Sequence, residues 1–241
     1  MIQQKLARMD RTSAGPAIPT GFAALDEALG IGGLPRGRIV ELFGAASSGK
    51  TTLALQLVAW AQKNGATAGW IDAEHTFDAG YAASLGVVIE RLPVAQPDSA
   101  EQALEIARQL AVSGAVDLLV IDSAAALVPA LELETGIGDS GPGLHGRVLA
   151  SGLRKLSTIL ARAGVCAVFL NQMRTRLEPS GGEQETTAGG PSLKLYAAVR
   201  IALAAGTGRR VRFRVLKNKA ATAFADGELD WNQGRGFVET P

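Results

Sequence analysis

"GAASSGKTT", residues 44–52, is the stretch whose reading decides the fold. From Gly44 to Thr51 it spells Gly-x-x-x-x-Gly-Lys-Thr. Glycines let the chain turn so that successive backbone N–H groups point at one anion, and a helix starting at Lys50 adds the positive end of its dipole. Lys50 brings a full charge suited to β- and γ-phosphates, and the Thr51 hydroxyl is suited to Mg²⁺. Gly44, Ala45, Ala46, Ser47, Ser48, Gly49, Lys50, Thr51 and Thr52 are therefore the candidate phosphate cradle. Its surroundings agree. "RIVELF" before it reads as a strand. The residues after it read as a helix from Lys50 to about Asn64, with Leu53, Leu57 and Trp60 on one face and Gly65 as the stop.

Outward from the cradle, strand and helix patterns alternate. "TAGWID", "VDLLVIDS" and "VCAVFLNQ" read as further strands. "SAEQALEIARQLAVSG" reads as an amphipathic helix capped by Ser99 or Asp98, and "GLHGRVLASGLRKLSTILARAG" as a long helix. Thr20 is placed to cap a helix running to about Leu29. Beyond residue 194, "YAAVRIALAAG", "RRVRFRVLKNK" and "GELDWN" read as strands joined by turns. The expectation is an α/β fold of the P-loop NTPase type: a mainly parallel central sheet flanked by helices, with antiparallel edge strands at the C-terminal end. Residues 1–16 read as a tail or linker and 17–241 as the core.

The composition excludes several classes. Of 241 residues 47% are apolar and the net charge is +1, so nucleic-acid binding would have to rest on local arginines. Cys166 is the only cysteine and lies in an apolar run, which points to a buried, inert thiol in a reducing compartment. The expected protein is soluble and cytoplasmic, with no membrane partner: no apolar run approaches the ~18 residues of a span, and "MIQQKLARMDR" lacks a hydrophobic signal core.

A phosphate-loop enzyme needs an acid near the metal, at the end of a neighbouring strand, and Asp122 in "LLVIDS" qualifies. It also needs a group to orient or deprotonate the attacking water. Glu74 in "GWIDAEH" emerges after a strand on the same sheet edge, though from pattern alone it reads equally well as a solvated loop acid. His75 has no second ligand at zinc spacing and reads as structural. "GIGDSG", residues 136–141, fits a dinucleotide glycine pattern, but "PALELET" before it reads as helix or loop rather than strand, so the match is rejected.

These elements in this order resemble the ATPase core of the RecA recombinases. "GRIVELFGAASSGKTTLALQ", "IDAEHTFDAGYAASLGV", "FLNQMR", "ETTAGG", "LKLYAAVR" and "VLKNKAA" carry the resemblance, which spans roughly residues 17–224. It implies ATP and Mg²⁺ as ligands, with Thr51 and Asp122 at the metal and Glu74 as the carboxylate that activates water. It implies adenine contacts from Asp78 and Tyr81, and a γ-phosphate sensor in Gln172. On pattern alone Tyr81 is an ordinary helix-face aromatic and Gln172 a strand-end polar residue. Residues 132–146 and 173–190 resemble the family's DNA-contacting loops; both are glycine-rich and non-periodic, so mobility is expected. Arg147, Arg154, Arg174 and Arg176, with Thr186, Thr187, Gly189 and Gly190, become candidate contacts to single-stranded DNA. Arg212 and Arg214, with Arg210 on the same strand face, match a secondary duplex-binding site; the alternative is a solvated sheet face. Lys217 and Lys219 match lysines that reach the ATP of a neighbouring protomer.

The chain also departs from the family pattern. About sixteen residues stand where an N-terminal docking helix and strand are usual, and "GRGFVETP" stands where a further domain usually follows. Pro142 and Gly181 replace bulkier apolar residues. The departures leave the phosphate chemistry intact and weaken the expectation of filament assembly and strand exchange. The resemblance thus implies a DNA-dependent ATPase of recombination, repair and the DNA-damage response that self-associates on DNA. The alternative is an ImuA-type accessory protein of a translesion-synthesis complex, acting through repair partners. A hexameric helicase is the weakest reading, because of the loop motifs.

Overall fold

The computed structural model describes residues 15–135, 143–177 and 183–240. Readings of residues 1–14, Pro142, Gly181 and "GIGDSG" lie outside the described residues. The elements run in chain order as follows. Strands β1 (Ala17–Ile18) and β2 (Leu34–Pro35) form a small ribbon around helix α1 (Ala23–Leu29). Then come β3 (Ile39–Gly44), α2 (Lys50–Lys63), β4 (Ala68–Asp72), α3 (Ala79–Ser84), β5 (Val94–Ala95), α4 (Ala100–Ser113), β6 (Leu118–Asp122), α5 (Ala130–Glu134) and α6 (Leu144–Ala163). They are followed by β7 (Cys166–Leu177), β8 (Glu183–Thr187), α7 (Pro191–Tyr196), β9 (Val199–Ala205), β10 (Arg210–Asn218), β11 (Asp226–Asn232) and β12 (Gly236–Glu239).

The main sheet has the order β5-β4-β6-β7-β3-β9-β10-β11-β12. From β5 to β9 all neighbours are parallel; β10, β11 and β12 add on antiparallel. This is the expected α/β architecture. Alternation along the strands divides the core in two. Val40, Leu42, Trp70, Val120 and Val168 meet α1 and α2 on one face. Ile39, Ile71, Leu119, Ile121 and Phe169 meet α4, α6 and α7 on the other. Leu149, Leu153, Leu156 and Leu160 form the stripe by which α6 docks, each burial contributing about 2 kcal/mol.

Several details correct the expectations. Thr20 does not cap α1: Phe22 occupies the cap position, and Thr20 bonds to Phe22 and Asp26 instead. Helix α2 is buried well beyond the Leu53–Leu57–Trp60 stripe, because β12 and residues 85–88 cover its outer side. The Gln56 side chain bonds to Phe237 N–H and C=O, and the Gln62 side chain to Val88 N–H and C=O. The stretch after Gln172 is not a structureless loop. Strand β7 runs on to Leu177 and pairs antiparallel with β8, with Met173 opposite Thr187 and Arg176 opposite Gln184. In "MRTRL" only Thr175 is β-branched, so the extended form rests on backbone pairing with β8. The strand expected from Tyr196 starts only at Val199, because α7 occupies 191–196, and β12 went unforeseen. Ser99 is the cap of α4, Cys166 is fully buried with its thiol pushed up to about 12 by desolvation, and among the described residues no helix is long and apolar enough to cross a membrane.

Candidate functional site

Adjacent parallel strands bring their C-terminal ends to one sheet edge. Gly44 at the end of β3 lies opposite Gln172 in β7, and Asp122 at the end of β6 lies opposite Asp72 at the end of β4. The crossover from β3 through α2 to β4 passes two strands, so the phosphate loop overhangs the neighbouring strand ends. Such a switch in strand order is where open α/β sheets bind ligands.

The glycines of the loop are sterically required. A Cβ on Gly44 would stand 2.3 Å from the Leu203 carbonyl oxygen, and one on Gly49 would stand 2.4 Å from the Phe237 ring. Gly49 also has φ +87°, a conformation that L side chains rarely adopt. Lys50 Nζ donates to the carbonyls of Gly44 (3.2 Å) and Ala45 (2.7 Å) and to Ser48 Oγ (3.4 Å), which keeps the ammonium at the mouth of the loop. Desolvation lowers its pKa, opposed by the charges of Asp122 and Glu74. Thr51 Oγ1 donates to Asp122 Oδ2 at 3.1 Å. Burial first, then the charge of Glu74, pushes Asp122 up to about 7. A divalent cation there would act in the opposite direction. The hydroxyl–carboxylate pair beside an ammonium and a glycine cradle is a donor set that fits a Mg²⁺–polyphosphate.

Glu74 is held at both ends. Its backbone N–H and that of Ala73 donate to the Asp122 carbonyl (3.2 and 2.7 Å), and Ser123 Oγ donates to Glu74 Oε1. The buried Asp72 carboxylate accepts from Thr76 N–H, Phe77 N–H and Gln96 Nε2, and so ties the loop between β4 and α3. This is not the environment of a freely solvated loop acid. His75 is an exposed turn residue with φ +56°, and among the described residues no three His, Cys, Asp or Glu side chains group as a metal site. Asp78 caps α3 by accepting from Tyr81 N–H, and Tyr81 Oη hydrogen-bonds Thr52 Oγ1 at 2.8 Å, which sets the ring beside the start of α2. A cleft of about 490 Å³ lies along Ser47–Thr52, Val211, Trp231 and Phe237. Its walls include Lys50 and Thr51 but not Glu74, Asp122 or Gln172.

The structure also gathers parts of the two segments read as DNA contacts. Helix α6 starts beside the end of β8: Ser192 Oγ donates to the Gly146 carbonyl, and a Cβ on Gly189 would stand 2.6 Å from Leu149. Arg147 and Arg154 are exposed on one side of α6, two turns apart, and Thr186 is exposed while Thr187 is buried. Gly189 and Gly190 both have positive φ. Arg174 and Arg176 lie in β7, but their side chains are outside the described residues.

The arginines of β10, Arg210, Arg212 and Arg214, do share an exposed face, yet the first two meet acids on β11, while Arg214 makes no ion pair among the described residues. Arg210 pairs with Asp230 (2.9 Å) and Glu228 (3.3 Å), and Arg212 pairs with Asp226. Lys217 Nζ donates to the carbonyls of Lys194 (2.7 Å) and Leu195 (3.1 Å), at the C-terminal end of α7, while Lys219 is exposed. Burial, then repulsion from Lys219 and Arg200, lowers the Lys217 pKa.

Sequence reading missed Ser123, Asp72 and the buried Glu41, Asn171 and Arg200. The available signal was a polar residue inside an apolar strand, as in "RIVELF" and "AAVRIALAA".

A family model described as the RecA N-terminal domain matches residues 4–238. Protein RecA of Bifidobacterium breve is 52% identical over 229 residues, which is 91% of this chain and 58% of that protein. Protein RecA of Geobacter sulfurreducens is 51% identical over 230 residues, 92% of this chain and 68% of that protein. Protein RecA of Thermus thermophilus is 50% identical over 230 residues, 91% and 68%. The chain therefore spans 58–68% of the length of these relatives.

Proposed function

The chain belongs to the RecA family, and from that premise we propose that it is a RecA-like ATPase of DNA recombination and repair, binding ATP and single-stranded DNA and associating with itself on DNA. One observation carries this reading: Gly44 and Asp122 end strands that flank β7, Gln172 lies in β7 opposite Gly44, Glu74 is anchored to the same edge, and the hairpin read as a DNA contact continues from Gln172 without a break.

In this reading backbone N–H groups of residues 45–50 and the Lys50 ammonium hold the phosphates, and Tyr81 offers its ring to the base. Thr51 and Asp122 would hold Mg²⁺, which would supply neutralising charge to the phosphates when bound. Glu74, oriented by Ser123, accepts the proton of the attacking water. Gln172 contacts the γ-phosphate and takes β7 with it, which links nucleotide state to the hairpin. Arg147, Arg154, Arg174 and Arg176 meet DNA phosphates, so binding is salt-dependent. In this reading the exposed Lys219 serves a neighbouring protomer, and Lys217 must first leave the α7 carbonyls to do so.

ATP turnover, measured with and without single-stranded DNA over a range of protein concentrations, tests the proposal. Turnover per protomer should rise with DNA and with concentration. Bound ATP with turnover indifferent to both would overturn the reading in favour of an accessory protein.

A further inference from the structure

Glu41 is a carboxylate inside the strand that feeds the phosphate loop, and it is fully buried. The register places Phe169 of β7 on one side of it and Arg200 of β9 on the other. Glu41 Oε2 accepts from Arg200 Nε, and Oε1 accepts from Asn171 Nδ2 at 2.9 Å. Asn171, also fully buried, directs its amide group to the Ala188 carbonyl as well (3.1 Å), and its Oδ1 accepts from Gln172 N–H (2.9 Å). The Arg200 guanidinium lies 4.5 Å over the Phe43 ring. A polar chain therefore crosses β3 just before the loop. It ends on backbone groups that open and close the hairpin: Gln172 N–H on β7 and the Ala188 carbonyl after β8.

Net stability does not explain this chain. Desolvation offsets most of the attraction in a buried ion pair, and apolar side chains of similar volume hold strands together as well or better. Apolar contacts, however, tolerate small slides. A buried network satisfies all its donors and acceptors in one arrangement only, so it fixes specific atoms relative to each other.

We propose that Glu41 and Asn171 are positioning residues that couple the β7–β8 hairpin to Gln172, and through it to the phosphate end of the nucleotide site. The inference rests on the proposed reading in which Gln172 meets the γ-phosphate and the hairpin meets DNA. Displacement at either end of the chain shifts Asn171, and Asn171 is tied to both.

Hydrogen exchange on the full chain, with and without a non-hydrolysable ATP analogue and Mg²⁺, measures the coupling independently of turnover. In the unaltered protein the analogue should slow exchange at residues 183–188 by about tenfold, within the usual range of coupling between sites. Asn171→Ala should abolish that slowing while analogue affinity and the DNA-free rate stay within about twofold, and should lower the stimulation by single-stranded DNA by about tenfold. If Asn171→Ala fails to fold, Asn171→Ser, which is too short to reach both Glu41 and Ala188, should give the same result. Slowing preserved in the variant overturns the proposal. So does a parallel fall in affinity, DNA-free rate and stimulation, which would mark a merely structural role, and so does an unaltered protein whose hairpin ignores the analogue. An unaltered protein that shows the slowing but no stimulation by DNA leaves the coupling standing and removes the DNA reading instead.

Discussion

Two clusters of charged residues, both picked out by pattern, behave oppositely once folded. At the strand ends, Lys50, Glu74 and Asp122 are drawn into a partly desolvated site, where burial first and then the Glu74 charge push Asp122 up to about 7 against the pull of Lys50. On the β10–β11 face, Arg210 and Arg212 point to solvent and are already paired with Asp226, Glu228 and Asp230. Exposed pairs of this kind contribute little and are screened by salt. Charge held apart from its neutralising partners can do chemistry, whereas charge already matched by the adjacent strand mainly keeps a sheet face solvated.

The largest expected effect lies in the first cluster. Glu74→Gln keeps shape and the bond from Ser123 but removes the base, so turnover should fall on the order of 10²-fold while ATP still binds. Steady-state rates beside equilibrium binding decide this, and equal turnover in the two proteins would return Glu74 to a structural role. Next, Lys50→Ala removes a charge-assisted contact and should weaken MgATP binding by at least about tenfold, read by calorimetry. Because Lys50 bonds only to the loop itself, the thermal midpoint without nucleotide should hardly move; unchanged affinity would sink the phosphate-site assignment.

A third test uses pH. The folded-state pKa of Asp122 is raised, so without metal the folded chain binds the extra proton. Its contribution to stability is present in full below the unfolded value of about 4 and is lost as pH rises through about 7. Magnesium binding must run the other way, because it needs the carboxylate ionised. Apparent Mg²⁺ affinity of the nucleotide complex should climb by up to about tenfold per pH unit below 7 and level off above it. A flat profile from pH 6 to 8 would mean that Asp122 does not hold the metal. The smallest effects separate the two arginine sets. Arg174→Ala with Arg176→Ala should flatten the salt dependence of single-strand binding by up to about two contacts, at roughly 0.7 each in log–log slope. Arg210→Ala with Arg212→Ala should change DNA affinity by less than about twofold, since both charges are already matched. The reverse ranking would make the β10 face the DNA site and erase the contrast.

The phosphate cradle, the α/β alternation and Asp122 were legible from the sequence because they rest on local rules. A glycine turn between strand and helix, and an acid ending an apolar run, mean nearly the same thing wherever they occur. The chain by itself therefore determined the parallel sheet and the place of the loop in it. What surrounds the loop depended on contacts distant in sequence. Phe237 presses on Gly49 from across 188 residues of chain, and Glu41 finds Asn171 and Arg200 at separations of 130 and 159. No spacing rule announces such partners. The pairing of Arg210 and Arg212, the Lys217 cap on α7 and the hairpin beyond Gln172 were decided only by tertiary structure. Strand register chooses which charges meet, and backbone pairing across a sheet gives order to segments whose own sequence is non-committal.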